Sequence, residues 1–286
     1  MTTKSIKLIA VSSVIAFSMN AQDIHFSQFN EAPLLVNPAN TGLFDGYSRA
    51  NLNYRNQWSS AGSPFKTMAA SFDSEIGLKK NKGAFLGLGG FVFQDKAGAA
   101  NWSRFNFDMF VNGIVKVGKA SHLAAAIGGG YVQNSADFNK LTFGNQYNGD
   151  SFSTDLPSQE TIVFRKYNYA DVAAGLNFEF DKALIGFDRN TLYAFKIGVA
   201  AYHLNRPHMQ YATSSKERMD PRYVANMSAR FDFKGTKLSF VPSAIYQMQG
   251  QASELNAGGF LKMRFIDQTK ITGTKHESSV YIGLFT

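Results

Sequence analysis

Segment after segment of this chain alternates apolar residues with polar or tiny ones, and a turn separates each pair of segments. Over residues 168–180 one parity reads Ala170, Val172, Ala174, Leu176, Phe178, Phe180, and the other Asp171, Ala173, Gly175, Asn177, Glu179. Over 222–233 the odd positions are Tyr223, Ala225, Met227, Ala229, Phe231 and Phe233, and the even ones Arg222, Val224, Asn226, Ser228, Arg230 and Asp232. Side chains along a strand point to opposite faces, so each segment has one apolar and one wet face. A soluble sandwich and a membrane barrel both satisfy this pattern, and the rest of the sequence has to choose between them.

The N-terminus favours the barrel. Residues 1–21 carry Lys4 and Lys7, then an apolar run over 8–17, then the small Ala21. That is the layout of a secretory signal peptide, too short to cross a bilayer as a helix. Cleavage after Ala21 leaves Gln22 first, with Met19 larger than usual at the −3 position. No run of about 18 apolar residues follows, so a mature chain in a membrane crosses it as strands. The expected organisation is a signal peptide over 1–21, an N-terminal periplasmic or plug segment over 22–46, and a β-barrel over 47–286. No linker or composition break divides the chain. It has no cysteine, which removes disulfides, a thiol nucleophile and a lipid anchor on an N-terminal cysteine. Its 26 Phe, 12 Tyr and 25 Gly fit strands with aromatic rims and closely packed walls.

The pattern gives about eleven strands of the length a tilted membrane strand needs. They fall near 47–58, 65–76, 83–95, 102–115, 121–133, 166–180, 191–204, 222–233, 237–248, 254–265 and 277–285. Pro242 lacks a ladder donor and predicts a bulge or weak pairing in the ninth. An exported N-terminus places turns after even strands in the periplasm and loops after odd strands outside. The short connections 117–120 and 234–236 follow strands four and eight. The longest, 134–165 and 205–221, follow strands five and seven, as barrel asymmetry requires.

The even-strand turns are basic: Lys79, Lys80, Lys82; Lys116, Lys119; Lys182, Arg189; Lys234, Lys237; Lys270, Lys275. The formal charge of +8 falls to +6 without Lys4 and Lys7. These turns read either as solvated surface or as a docking face for a periplasmic partner. The charges are spread over turns rather than gathered in a groove with stacking aromatics, which argues against nucleic acid.

Chemistry is sparse. His203 and His208 lack a third metal ligand nearby. Gly87-Leu88-Gly89-Gly90 and Gly128-Gly129-Gly130 lack the Lys-Ser/Thr of a phosphate loop and read as a tight lumen or a barrel bend. No nucleophile elbow is present. Asp137, Asn139, Asn145, Asn148 and Asp150 do not match calcium-loop spacing. No catalytic, cofactor or metal site is expected. The candidate partner-binding residues are Phe138, Leu141, Phe143, Tyr147 and Phe152 in the loop 134–165, and Phe26 and Phe29 in the N-terminal segment. Both stretches carry more large apolar groups than a plain disordered loop or free tail.

Several blocks then identify a resemblance. Gln22-Asp23-Ile24-His25-Phe26-Ser27-Gln28-Phe29, Asn37-Pro38-Ala39 and Thr41-Gly42 open it. Tyr54-Arg55-Asn56-Gln57-Trp58, Ser63-Pro64-Phe65-Lys66-Thr67 and Leu141-Thr142-Phe143-Gly144-Asn145-Gln146 continue it. Ala170-Asp171-Val172-Ala173-Ala174-Gly175, His203-Leu204-Asn205-Arg206-Pro207 and Gln247-Met248-Gln249-Gly250 follow in order. Together the chain resembles the PorP/SprF family of type IX secretion system outer-membrane proteins. The resemblance implies a non-enzymatic outer-membrane β-barrel embedded in outer-membrane lipid. It implies work with the type IX secretion machinery, with a periplasmic peptidoglycan-associated partner, or with the C-terminal domain of a secreted adhesin, in secretion, gliding or surface anchoring. Such proteins usually continue for several strands past the position matching Thr286. The resemblance therefore implies a C-terminally incomplete set of strands here, or a barrel completed in some unusual way. A porin-like channel for a small solute is the alternative reading, and an outer-membrane hydrolase a weaker one. The lumen discriminates, because Asp171, Glu179, Arg222, Arg230 and Asp232 suit either a pore lining or a salt-bridged plug.

Overall fold

The computed structural model describes residues 29–44, 46–59, 64–76, 83–138, 141–153, 155–160, 164–181, 193–211, 217–233, 235–266 and 278–285. Residues 1–21, expected from the sequence to be a signal peptide, and Phe26, Lys79, Lys80, Lys82, Lys182, Arg189, Lys234, Lys270 and Lys275 lie outside the described residues.

One antiparallel sheet contains eleven strands in sequence order. They are β1 (Ser48–Gln57), β2 (Phe65–Ile76), β3 (Ala84–Ala97), β4 (Trp102–Lys116), β5 (Ser121–Ser135) and β6 (Tyr167–Asp181), followed by β7 (Tyr193–Tyr202), β8 (Arg222–Asp232), β9 (Leu238–Gln249), β10 (Ala252–Ile266) and β11 (Ser278–Phe285). All eleven expected strands are present, with ends displaced by a few residues. No helix among the described residues is long and apolar enough to cross a membrane.

The parity of each strand sorts its side chains as the sequence predicts. On β6, Tyr167, Tyr169, Asp171, Ala173 and Asn177 are buried while Leu176 is exposed. On β8, Arg222, Val224 and Asn226 are buried while Tyr223, Met227 and Phe231 are exposed. The large apolar residues thus cover the outer face, and the polar, small and selected aromatic ones turn inward. This inverts the order of a soluble protein and matches a barrel wall in lipid.

The sheet curls around its own N-terminal segment. That segment is a 3-10 turn (Phe29–Glu31), a single α-helical turn (Pro33–Val36) and a second 3-10 turn (Pro38–Asn40). Proline opens the last two, where its missing N–H costs no hydrogen bond. The Asn37 side chain caps the second 3-10 turn by accepting from the Ala39 N–H at 2.9 Å. From one end of the segment to the other, contacts reach β9 and β11 (Asn30 to Ser243, Phe29 to Phe285) and β2 (Gly42 to Asp73). Only a wall bent most of the way round the segment brings both ends of the sheet within its reach. β1 and β11 are the sheet's two edges and both run from the short-turn end toward the long-loop end.

At Pro242 the ladder to β8 is interrupted between the pairs Ser228↔Ser243 and Phe231↔Phe240, yet the register is the same on either side. Pairing is weakened there without a bulge, because proline removes a donor but adds no residue. The register shift lies instead between Arg264 and Ile266, on β10.

Candidate functional site

The centre of the lumen is filled from within. Phe29, Ala32, Leu34 and Val36 form one apolar cluster with wall residues Ala69, Phe91, Phe93, Phe110, Ala173, Ala200, Tyr202, Val224 and Ile245. Closer to the short-turn end, Ala39 and Leu43 pack with Phe85, Ile114, Ala124 and Ala126. Leu34 and Ile114 are completely buried. Inward Phe91, Phe93 and Phe110 would be wet in an open pore, and the plug gives them an apolar partner.

Polar side chains of the wall fix the plug by taking its backbone groups one by one. Asn112 on β4 donates to the Ala39 and Thr41 carbonyls at 2.9 and 2.7 Å. Tyr202 on β7 donates to the Leu34 carbonyl at 3.0 Å, and Lys196 to that of Leu43 at 3.1 Å. Asn177 on β6 donates to the Asn40 side chain at 2.7 Å. In the other direction, the Asn37 amide reaches the carbonyls of Leu176 and Val199 and the Asn226 side chain, at 3.0, 3.3 and 3.1 Å. A short segment without strand partners leaves backbone carbonyls unpaired, and these wall donors satisfy them.

Asp73 closes the other end of the plug. It is fully buried and accepts from the Gly42 N–H at 2.8 Å and from Arg49 through both Nε and Nη2, at 3.0 and 2.8 Å. Arg49 also donates to the Asn40 carbonyl at 3.0 Å. A paired, forked ion contact thus joins β1, β2 and the plug.

Glycines make the room. A Cβ on Gly87 would stand 2.3 Å from the Thr41 oxygen, and one on Gly175 would stand 2.1 Å from the Asn37 Oδ1. The tight-lumen reading of Gly87-Leu88-Gly89-Gly90 is given physical content here. Gly130 serves the wall itself, since its Cβ would meet Asp108 Oδ1 at 2.1 Å.

The inward charges singled out in the sequence are paired. Asp171 lies 2.9 Å from His203 Nδ1, with both side chains buried. Arg222 stacks on the Tyr202 ring at 4.3 Å. Glu179 pairs with Lys196 at 3.2 Å, and Arg230 with Asp181 at 3.1 Å and Asp232 at 3.6 Å. The space between Leu34, Asp108, Asp171, His203 and Arg222 amounts to about 10 Å³, room for about one water. His208 is exposed and bridges Arg218 instead of joining His203.

The two long loops close over one end together. Phe164 packs on Trp102 and Phe138, with ring centroids 5.0 and 5.5 Å apart. Arg165 donates to the Tyr211 carbonyl across the loops at 2.8 Å. Tyr167, Tyr169 and Val132 are buried beneath Met209, Tyr211 and Met219. Of the candidate contact residues, Phe138, Leu141 and Phe143 are half-buried. Tyr147 and Phe152 are 50% and 56% exposed and pack against each other with tilted rings, centroids 5.2 Å apart, across a small bridge that joins them. The turn between them is built rather than slack. The Asn148 side chain accepts from the Asp150 and Ser151 N–H groups, and Gly149 takes φ +100. Phe29 sits inside the lumen on Phe285, at 5.7 Å. The sequence carried no sign of the partners of Asn37, Asn112, Asn177 and Asp73, because those partners are backbone and side-chain groups far away along the chain.

Among the basic turn residues, Lys116, Lys119 and Lys237 are described and exposed at the short-turn end.

A family model described as "Type IX secretion system membrane protein PorP/SprF" matches residues 18–273. None of the curated proteins matches the chain.

Proposed function

From a chain that belongs to the PorP/SprF family of type IX secretion system membrane proteins, we propose a non-enzymatic outer-membrane component that works through its two ends rather than through its lumen. The observation that carries this reading is the internal plug. With Leu34 fully buried among inward aromatics and Asn37 and Thr41 fully buried against asparagines and backbone carbonyls of the wall, the centre of the lumen is occupied by protein, and a small-solute channel gains no support from it. The buried His203–Asp171 pair lies under Leu34 with no space for a substrate, so it serves the wall and not a reaction.

The long-loop end then faces outward and meets the secreted substrate, as in secretion, gliding or the surface anchoring of adhesins. The short-turn end, with Lys116, Lys119 and Lys237, faces the periplasm and meets the machinery or a peptidoglycan-associated protein. Tyr147 and Phe152 are the outward contact we favour, because exposed aromatic pairs on a pre-organised turn suit recognition. Phe138 and Phe164 hold that loop in place.

Shortening the loop from Asn145 to Gln159 tests the reading. Phe138, Phe164 and the strand ends remain, so the barrel assembles and fractionates with the outer membrane. The surface-attached substrate is then lost from cells or released into the medium. Unchanged substrate display in a correctly assembled variant removes this loop as the contact. A gain in small-solute permeability in that variant, with display intact, moves the assignment toward a channel.

A further inference from the structure

On the outer face of the sheet, among the described residues, two like charges stand opposite each other on one rung of the ladder. Lys66 on β2 and Lys96 on β3 are opposed partners in the ladder, and both are exposed. They share the outward parity of Met68 and Phe72 on β2, and of Leu86 and Leu88 on β3, at the long-loop end of these strands. Opposed side chains start about 5 Å apart, and like charges in that relation repel. Among the described residues no carboxylate pairs with either lysine. The adjacent Asp95 is turned to the opposite face, where Thr67 donates to it.

The neighbours share one chemistry. Asn56 stands across from Lys66, and Ser103 across from Lys96. Gln94, two positions along β3, donates to the Ser103 hydroxyl at 3.5 Å. These side chains offer amide and hydroxyl donors beside two ammonium groups, with no acid. Directly below lie exposed Tyr54, Met68 and Phe105, where the apolar band begins. Two cations with flanking donors, set at the upper border of a lipid-facing wall, fit the phosphate of a lipid whose acyl chains run down that wall. A phosphate between the ammonium groups turns their repulsion into two charge-assisted contacts. Independent snorkelling of each lysine into water would need neither the shared rung nor the donors beside it.

We propose that Lys66 and Lys96 bind the phosphate group of a phosphorylated glycolipid in the outer leaflet. The proposal rests on the outer-membrane orientation given above. In that orientation the site lies at the outer-leaflet head groups, next to the loops that meet the substrate.

The test uses the full-length mature barrel extracted from outer membranes, with bound lipid read by native mass spectrometry. The probes are lipid A with its phosphates, dephosphorylated lipid A, and inorganic phosphate. Wild-type protein retains phosphorylated lipid A. The K66Q/K96Q variant binds it about tenfold or more weakly, in keeping with the worth of two basic residues at an anionic surface. The K66R/K96R variant, which keeps the charges, retains it. Dephosphorylated lipid A binds as weakly to wild type as the phosphorylated form binds to the Gln variant. Inorganic phosphate at the same concentration does not displace the lipid. Equal retention by wild type and K66Q/K96Q overturns the proposal, as does equal binding of dephosphorylated lipid. Displacement by inorganic phosphate reduces the site to a generic anion patch and also overturns it. Fractionation is scored before extraction. Failure to sediment with the outer membrane counts against the localisation, whereas a correctly fractionating barrel with no lipid preference counts against this site alone.

Discussion

Asp73 shows how much one residue holds. A carboxylate with no exposure exists there because Arg49 and the Gly42 N–H take up its oxygens. Replacing it by Ala leaves Arg49 without its partner next to the Asn40 carbonyl and frees the Gly42 N–H. Breaking such a pair costs about 3–5 kcal/mol. We therefore expect Asp73→Ala to lower the temperature at which the folded band is lost in a heat-modifiability gel. Asp73→Asn keeps the shape and one acceptor, and should fall less. An unchanged transition in Asp73→Ala shows that this clasp does not hold the plug. Asn37→Ala removes two amide donors shared among three acceptors and the oxygen that accepts from the Ala39 N–H, at about 1 kcal/mol for each of these three groups, and a comparable loss of about 2–3 kcal/mol is expected by the same assay. Gly87→Val tests the opposite failure. Its Cβ collides with the Thr41 backbone oxygen, so plug or wall has to shift. Limited proteolysis near 29–44 should become faster than in wild type, and equal protection would contradict the packing.

At the scale of the element, the plug is the part whose behaviour decides mechanism. The Thr41 methyl lies 2.9 Å from where a Cβ on Gly89 would stand. A cysteine pair at these positions therefore has nearly the sulfur-to-Cβ geometry of a disulfide. The chain contains no cysteine of its own, so Thr41→Cys with Gly89→Cys gives a single defined lock in an oxidising compartment. Because the added Gly89 Cβ also stands 2.7 Å from the Asp73 Cβ, the reference is the Gly89→Cys single variant: if the plug is core, substrate display in the locked barrel equals that of this variant, with or without reductant. Loss of display that reductant restores would mean that the plug has to move. The loop turn over 143–158 makes a separate prediction. Because its hydrogen bonds are local, Tyr147→Ala with Phe152→Ala should leave the heat transition unchanged while weakening substrate display. A lowered transition would instead assign the two rings to holding the loop.

For the whole molecule, the plug and the wall share one core. Deleting residues 29–44 would leave Phe91, Phe93, Phe110 and Ile114 facing water. The lost apolar contact, at about 25 cal/mol per Å² buried, is large against the marginal stability of folded chains. The deletion should reduce the folded, heat-modifiable form in outer membranes, not yield a stable open pore. A fully assembled deletion variant that admits small solutes would reverse this conclusion and revive the channel reading. The geometry of the edges adds a constraint. β1 and β11 run in the same direction, so closing the sheet with antiparallel pairs throughout takes an odd number of intervening strands. Edges open to lipid would leave each unpaired backbone group at a cost of several kcal/mol.

The sequence alone determined the eleven strands, their faces and the asymmetry of their connections, because a period of two and turn length are local properties. Leu176 and Ala174 lie on the outer face of β6 and Asp171 and Asn177 on the inner one simply by parity. The weakness at Pro242 was equally legible, since a missing donor belongs to one residue. Only the tertiary structure decided that the N-terminal segment lies inside. Asn37 meets β6, β7 and β8, and Asp73 meets Gly42 and Arg49, across separations that no local pattern encodes. Gly87 stood in the same position: with its neighbours it announced a tight lumen or a bend, but not what lies against it. Whether inward Arg222 and Asp171 lined a pore or a packed interior depended on what occupied the centre. That occupant is a short, irregular segment with no strand period to betray it, and it fits because its carbonyls meet donors supplied by distant strands.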